Sequence, residues 1–225
     1  MDKRIYKNFG KIFGVILLVI GLAALCGGLF ARSFIAGQMK AQDIQFPDKQ
    51  AIQAQVDSGA IDSESGKVLS QWAGQKMTTG DQAKAYADNF IAQHMQGAAK
   101  RAGVPGATFA TVTGTIKEKE AALQKDIEAA NPGADEQRVQ QLMEAEATNP
   151  LTKYESARDL KSLNDLKNDT FFQGNVLRGT LLNVYGWSLL GQIALYAGIA
   201  LTIVGVVLAV WGFMRPKKTA AKARS

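Results

Sequence analysis

The sequence predicts an all-α membrane protein: an antiparallel two-helix transmembrane hairpin that carries an α-helical extracytoplasmic domain. Three observations predict it. Two charge-free blocks, Ile12 to Ala31 and Ser188 to Met214, lie near the two ends of the 225-residue chain. Each is flanked by cations on the side of its terminus. The residues between them read as short amphipathic helices separated by glycine and proline.

The first block holds twenty residues without a charge and the second twenty-seven. A helix rises about 1.5 Å per residue, so roughly twenty residues cover a hydrocarbon core of about 30 Å. Lipid offers no partner to an unpaired backbone group, which leaves the helix as the form of both spans. A secretory h-region is shorter and ends at small residues in an A-x-A-like pattern. The first run instead closes on Leu29-Phe30-Ala31-Arg32, and it reads as an anchor. Leu25 before Cys26 does not fit lipoprotein processing, and a single cysteine forms no internal disulfide.

Charge sets the orientation. Lys3, Arg4, Lys7 and Lys11 precede the first span, and Arg215, Lys217, Lys218, Lys222 and Arg224 follow the second. By the positive-inside rule both termini are cytoplasmic, in a plasma membrane. The predicted layout is a basic N-terminus over 1–11, the first span over 12–35, an extracytoplasmic domain over 36–184, the second span over 185–214 and a basic tail over 215–225. Between Ser33 and Phe213 sixteen Lys and Arg face nineteen Asp and Glu, so the pI of about 9.4 belongs to the flanks. A nucleic-acid partner is therefore not expected, because its binding face would need cations clustered on the folded domain.

In the central stretch, Ala41 to Pro47 reads as extended, since the residue before proline avoids the helical region. A short helix is expected over Ser65 to Met77, with Val68, Leu69 and Trp72 on one stripe. The helix over Gly80 to Lys100 carries the clearest signals, with Thr79 as cap, Asp81 in the first turn and Gly103 and Pro105 as stops. Its apolar face holds Ala83, Ala87, Phe90, Ile91 and Met95, and it is expected to form the centre of the domain. Further helices are expected over Thr115 to Ala130, Asp135 to Ala147 and Ser156 to Lys167. The last, from Gln173, runs into the second span. Tyr185 and Trp187 at one end of that span, with Trp211 and Phe213 at the other, sit where aromatic belts lie.

Glycines pattern the spans. Gly14, Gly21 and Gly28 recur every seven residues in the first, and Gly191, Gly198, Gly205 and Gly212 do so in the second. Small residues at that period let helix backbones approach closely at a left-handed crossing of about 20°. The expected register sets Gly14, Gly21 and Gly28 opposite Gly212, Gly205 and Gly198. No charge lies within the blocks Ile12 to Ala31 and Ser188 to Met214, so neither offers a proton relay or ion pathway.

Chemistry is sparse. A metal site needs three or four converging ligands, and the chain has one histidine, His94, and no HExxH or CxxC spacing. A serine triad would need His94 as its base, yet GxSxG is absent, and no glycine-rich phosphate loop follows a strand. No catalytic residue, cofactor or metal is expected. The aromatic and imidazole rings of Tyr86, Phe90 and His94 form the candidate interaction face.

Two stretches, Ala73 to Met95 (AGQKMTTGDQAKAYADNFIAQHM) and Phe171 to Gly191 (FFQGNVLRGTLLNVYGWSLLG), together with the paired spans, resemble a family of actinobacterial two-transmembrane membrane proteins of uncharacterised function. Some members carry an automatic label as aromatic ring-opening dioxygenases. Such enzymes hold non-haem iron with histidines and a carboxylate, a set that one histidine does not supply. The resemblance implies an envelope location in a Gram-positive cell of that group. The resulting expectation is a non-enzymatic envelope accessory or scaffold protein. Its partners are the lipid bilayer and an envelope or membrane protein, a second copy of itself included. An extracytoplasmic sensor acting through a partner membrane protein is the alternative, and an envelope enzyme using His94 ranks below it.

Overall fold

The computed structural model describes residues 3–214. Every regular element among them is helical, and the one β contact is an isolated antiparallel bridge between Gln45 and Lys76. The basic tail over 215–225 lies outside the described residues. Two helices are long and apolar enough to cross a membrane. The described residues divide into two compact units, one formed by 3–42, 78–80 and 185–214 and the other by 43–77 and 81–184.

The first unit is built on α1 (Lys3–Ala41) and the greater part of α9 (Phe172–Phe213). Each is apolar almost all round, as expected of a helix with no water-facing side. Phe13, Val19, Phe30, Trp187, Tyr196, Ile203 and Val207 are all exposed, while Gly14, Gly21, Gly28, Gly198 and Gly205 are buried. This inverts the usual arrangement of a water-soluble protein, in which large apolar side chains are the buried ones. At one end Lys7 Nζ donates to the Met214 carbonyl at 2.6 Å, closing the C-terminus of α9, and the Lys11 ammonium stands over the Phe213 ring. A cation there also meets the negative end of the helix dipole.

The second unit contains α2 (Lys49–Asp57), α3 (Ser63–Ser70), α4 (Gly80–Tyr86), α5 (Ala92–Arg101), α6 (Val112–Ala130), α7 (Glu136–Thr148), α8 (Glu155–Asp165) and the head of α9. Aspartates start three of these helices. Asp48, Asp62 and Asp135 accept from Ala51, Ser65 and Arg138 N–H at 2.8, 2.6 and 2.8 Å, satisfying donors that the first turn leaves unpaired. The Ser65 N–H holds the Asp62 carboxyl below its ordinary value. Gly103 and Gly133 close α5 and precede α7 at φ of +77° and +91°, where a side chain would strain the backbone.

Its apolar core is Val112, Ile116, Leu123 and Ile127 of α6, Val139 of α7, Ala157, Leu160 and Leu163 of α8, with Leu166, Phe171 and Ala99. The expected centre, the helix over Gly80 to Lys100, supplies only Ala99 to this cluster of buried residues, so the centre lies in α6 to α8 instead. Period explains the shift: apolar residues of α6 recur at three and four, a narrow stripe that buries completely, whereas Phe90 is only half-buried. The helix expected to start at Ser65 starts at Ser63 and ends at Ser70. A further helix, α2, was not predicted, since its only large apolar residues are Ile52 and Val56.

Two helices are interrupted by π-helical turns. One, Ala87–Ile91, joins α4 to α5, and the other, Leu166–Phe171, joins α8 to α9. Such turns hold an extra residue, are rare, and concentrate at functional sites.

Candidate functional site

In the first unit three pairs of glycines face one another across the two long helices. A Cβ added to Gly21 would lie 2.5 Å from Thr202 N and 3.0 Å from the Gly198 carbonyl oxygen. One added to Gly198 would lie 2.5 Å from Leu25 N and 2.9 Å from the Gly21 carbonyl oxygen. Gly14 and Gly205 meet in the same way, as do Gly28 and Gly191, while Gly212 lies against Gly10 and Lys11. For Gly14, Gly21, Gly28, Gly198 and Gly205 the obstacles include backbone, which cannot swing aside, whereas Gly191 meets first the Ala31 Cβ and Gly10 the Trp211 ring. Numbers rise along α1 as they fall along α9, so the contact is antiparallel, and the step of seven keeps every pair in register.

The register differs from the expected one. Gly14, Gly21 and Gly28 face Gly205, Gly198 and Gly191, one heptad from Gly212, Gly205 and Gly198. The expected pairing rested on matching depth from the basic ends and would leave Gly10 and Gly191 unused. The observed one sets six glycines in three pairs, with Gly212 against Lys11 and Gly10 at the end of the seam. Not every glycine takes part: nothing stands within 4 Å of a Cβ placed on Gly27, Gly37, Gly179 or Gly186. Among the described residues the Thr202 hydroxyl, buried in the seam, has no hydrogen-bond partner.

In the second unit the two stretches that carried the family resemblance pack on each other. A Cβ on Gly174 would lie 2.5 Å from Met95 Sδ, so the missing side chain makes room for the methionine. Arg178 Nη2 donates to Asp88 Oδ1 at 2.8 Å, and Lys84 Nζ donates to Asp88 Oδ2 at 2.6 Å. Burial alone would raise the Asp88 pKa, but hydrogen bonds from Lys84 and Arg178 outweigh it and hold the carboxyl below its ordinary value. Asp88 sits in the first π-turn. Side chains also serve carbonyls at its edges, Asn89 Nδ2 donating to Ala85 at 3.0 Å and His94 Nδ1 to Phe90 at 2.8 Å.

The candidate interaction face forms a ladder of rings. Phe46 meets Tyr86 edge-on at 5.3 Å, Tyr86 stacks on Phe90 at 4.6 Å, and Phe90 tilts against His94 at 4.4 Å. The three residues of that face are half-buried, and burial raises the Tyr86 pKa. Their faces are spent on one another, so edges are what they present outward. His94 donates its Nδ1 proton to a backbone carbonyl, the ordinary use of a histidine within a helix. Among the described residues no three His, Cys, Asp or Glu side chains converge on a common point that could hold a metal.

No protein-family model, curated protein or solved structure matches the chain. The glycine seam was legible from the period of seven. The Asp88 to Arg178 pair was not, because its members are ninety residues apart and nothing local to either stretch indicates that they meet.

Proposed function

We propose that this chain is a non-enzymatic integral membrane protein, an envelope accessory or scaffold whose helical domain binds a partner protein outside the membrane. One observation carries the membrane part. Among the described residues the exposed large apolar side chains lie on α1, on α9 or at the adjoining Met214, with only Phe109 and Leu151 elsewhere. Water would penalise that surface by roughly 25 cal/mol for every Å², while lipid removes the penalty. Together with the basic flanks, this supports an antiparallel transmembrane hairpin with both termini cytoplasmic and residues 36–184 extracytoplasmic. The outward edges of Tyr86, Phe90 and His94 are the face assigned to the partner, an envelope or membrane protein or a second copy of the chain. The resemblance to actinobacterial two-span proteins is part of the same proposal.

The alternative, a sensor acting through a partner membrane protein, draws support from the two π-turns, since such turns collect at functional sites. An enzyme using His94 is disfavoured by its engagement with the Phe90 carbonyl. Topology is tested first. A reporter active only outside the membrane should work after Lys100 and fail at Ser225, and the reverse pattern overturns the orientation. Affinity purification in mild detergent should then retain a stoichiometric envelope protein. Its absence, with His94→Ala abolishing a measurable phenotype in a folded protein, would favour an enzyme instead.

A further inference from the structure

Between the two π-turns lies a small cavity of about 130 Å³, lined by Ala92, Met95 and Gln96 just after the first turn and by Phe171, Asn175 and Arg178 at or after the second. Ala107, Thr108 and Phe109 close it from the loop before α6. Its walls combine an apolar side, Met95, Phe109 and Phe171, with Gln96, Thr108, Asn175 and one guanidinium. Arg178 makes a single hydrogen bond, to Asp88, out of the five donors a guanidinium carries, and its buried Nε has no partner among the described residues. Asp88 in turn is shared between Arg178 and Lys84, and the Lys167 ammonium stands over Phe109 at the rim. Cations therefore outnumber carboxylates around the cavity. Its room is that of about four liquid waters at ~30 Å³ each, too little for a drug-sized ligand and enough for a small ion with a short apolar body.

We propose that this cavity is a binding site for a short-chain aliphatic monocarboxylate, its carboxylate on free Arg178 donors and its hydrocarbon against Met95, Phe109 and Phe171. Arginine is suited to this, because its planar fork matches a carboxylate. The apolar side favours a ligand with a hydrocarbon part over an inorganic anion, which would be held against Met95, Phe109 and Phe171 without using them. Ligand binding here goes beyond the scaffold reading and does not depend on which protein the ladder face meets.

The experiment uses the full chain in lipid nanodiscs, titrated with butyrate against sodium chloride at matched ionic strength and followed by calorimetry. Saturable one-site binding of butyrate is expected, with inorganic phosphate at least tenfold weaker. Ala107→Leu fills the cavity without touching the ion pair, and it should abolish binding while the circular dichroism and melting temperature stay unchanged. Arg178→Lys should weaken it at least tenfold, with the positive charge beside Asp88 retained. No saturable butyrate signal from the folded chain overturns the proposal. So does phosphate binding as tightly as butyrate, or butyrate affinity that Ala107→Leu leaves intact.

Discussion

The two units pack helices by opposite means. In the second, α6, α7 and α8 are held by side chains that fill space, with Leu123 and Phe171 fully buried at 0% exposure. In the first, α1 and α9 are held by side chains that are missing, and glycine backbones touch where elsewhere leucines would interlock. On the membrane reading proposed above, solvent accounts for the difference. Water drives large apolar residues together, but lipid tails are as apolar as leucine, so helices within them associate through close contact alone. The same bulk that stabilises one unit should therefore disrupt the other.

The largest expected effect comes from removing bulk in the second unit. Phe171→Ala should cost about 3–5 kcal/mol, read from chemical denaturation of the full chain in detergent. Phe90→Ala should cost clearly less, since Phe90 is half-buried in the ladder and outside the main core. Equal losses would mean that the ladder and the α6 to α8 core are one cooperative body.

Adding bulk to the seam comes next. Gly21→Leu should destabilise helix association by about 1–3 kcal/mol or more, because its neighbours at 2.5 to 3.0 Å include backbone atoms that cannot rotate away. Gly27→Leu, one step from the seam and with nothing within 4 Å, is the control and should change stability by less than about 0.5 kcal/mol. A similar loss at both positions would remove the distinction between the two glycine sets.

Smaller effects are expected from polar groups. Asp88→Asn should cost on the order of 1 kcal/mol at neutral pH, since both partners of the Asp88 to Arg178 pair are partly exposed. The folded-state pKa of Asp88 is depressed below 3.8, so its contribution is complete above that value and is lost as pH falls through the folded pKa. The melting curves of wild type and variant should converge at the acid end, and a gap that persists there would assign the loss to something other than charge. Smallest is Thr202→Val. Replacing an unpartnered buried hydroxyl with a methyl group should leave the seam unchanged or stabilise it by under about 1 kcal/mol.

Much of this contrast is readable in the sequence. Glycine at a period of seven in two apolar runs gives the seam, and apolar residues at three and four give α6, α7 and α8 within a few residues of their observed ends. What the sequence does not carry is long-range register. Gly14 is chemically equivalent to Gly21, so nothing local decides whether it meets Gly205 or Gly212. Asp88 finds Arg178 only after the chain has folded back across ninety residues. The π-turns are invisible for a similar reason, since Asp88-Asn89-Phe90 has an ordinary helical composition and its extra residue is held by contacts made elsewhere.

The most direct test of the seam is a pair of cysteines placed at Ala31 and Gly191 in a Cys26→Ser background, oxidised in the native membrane. Ala31 Cβ lies 3.1 Å from where a Gly191 Cβ would stand, a little inside the separation of about 3.5–4.5 Å that a disulfide prefers, so a small shift of the helices brings the pair into range. The account expects rapid crosslinking within one chain, visible as a monomer of altered mobility that reverts on reduction. Crosslinks formed only between chains, or efficient intrachain crosslinking at Gly21 with Gly205 in place of Ala31 with Gly191, would contradict it.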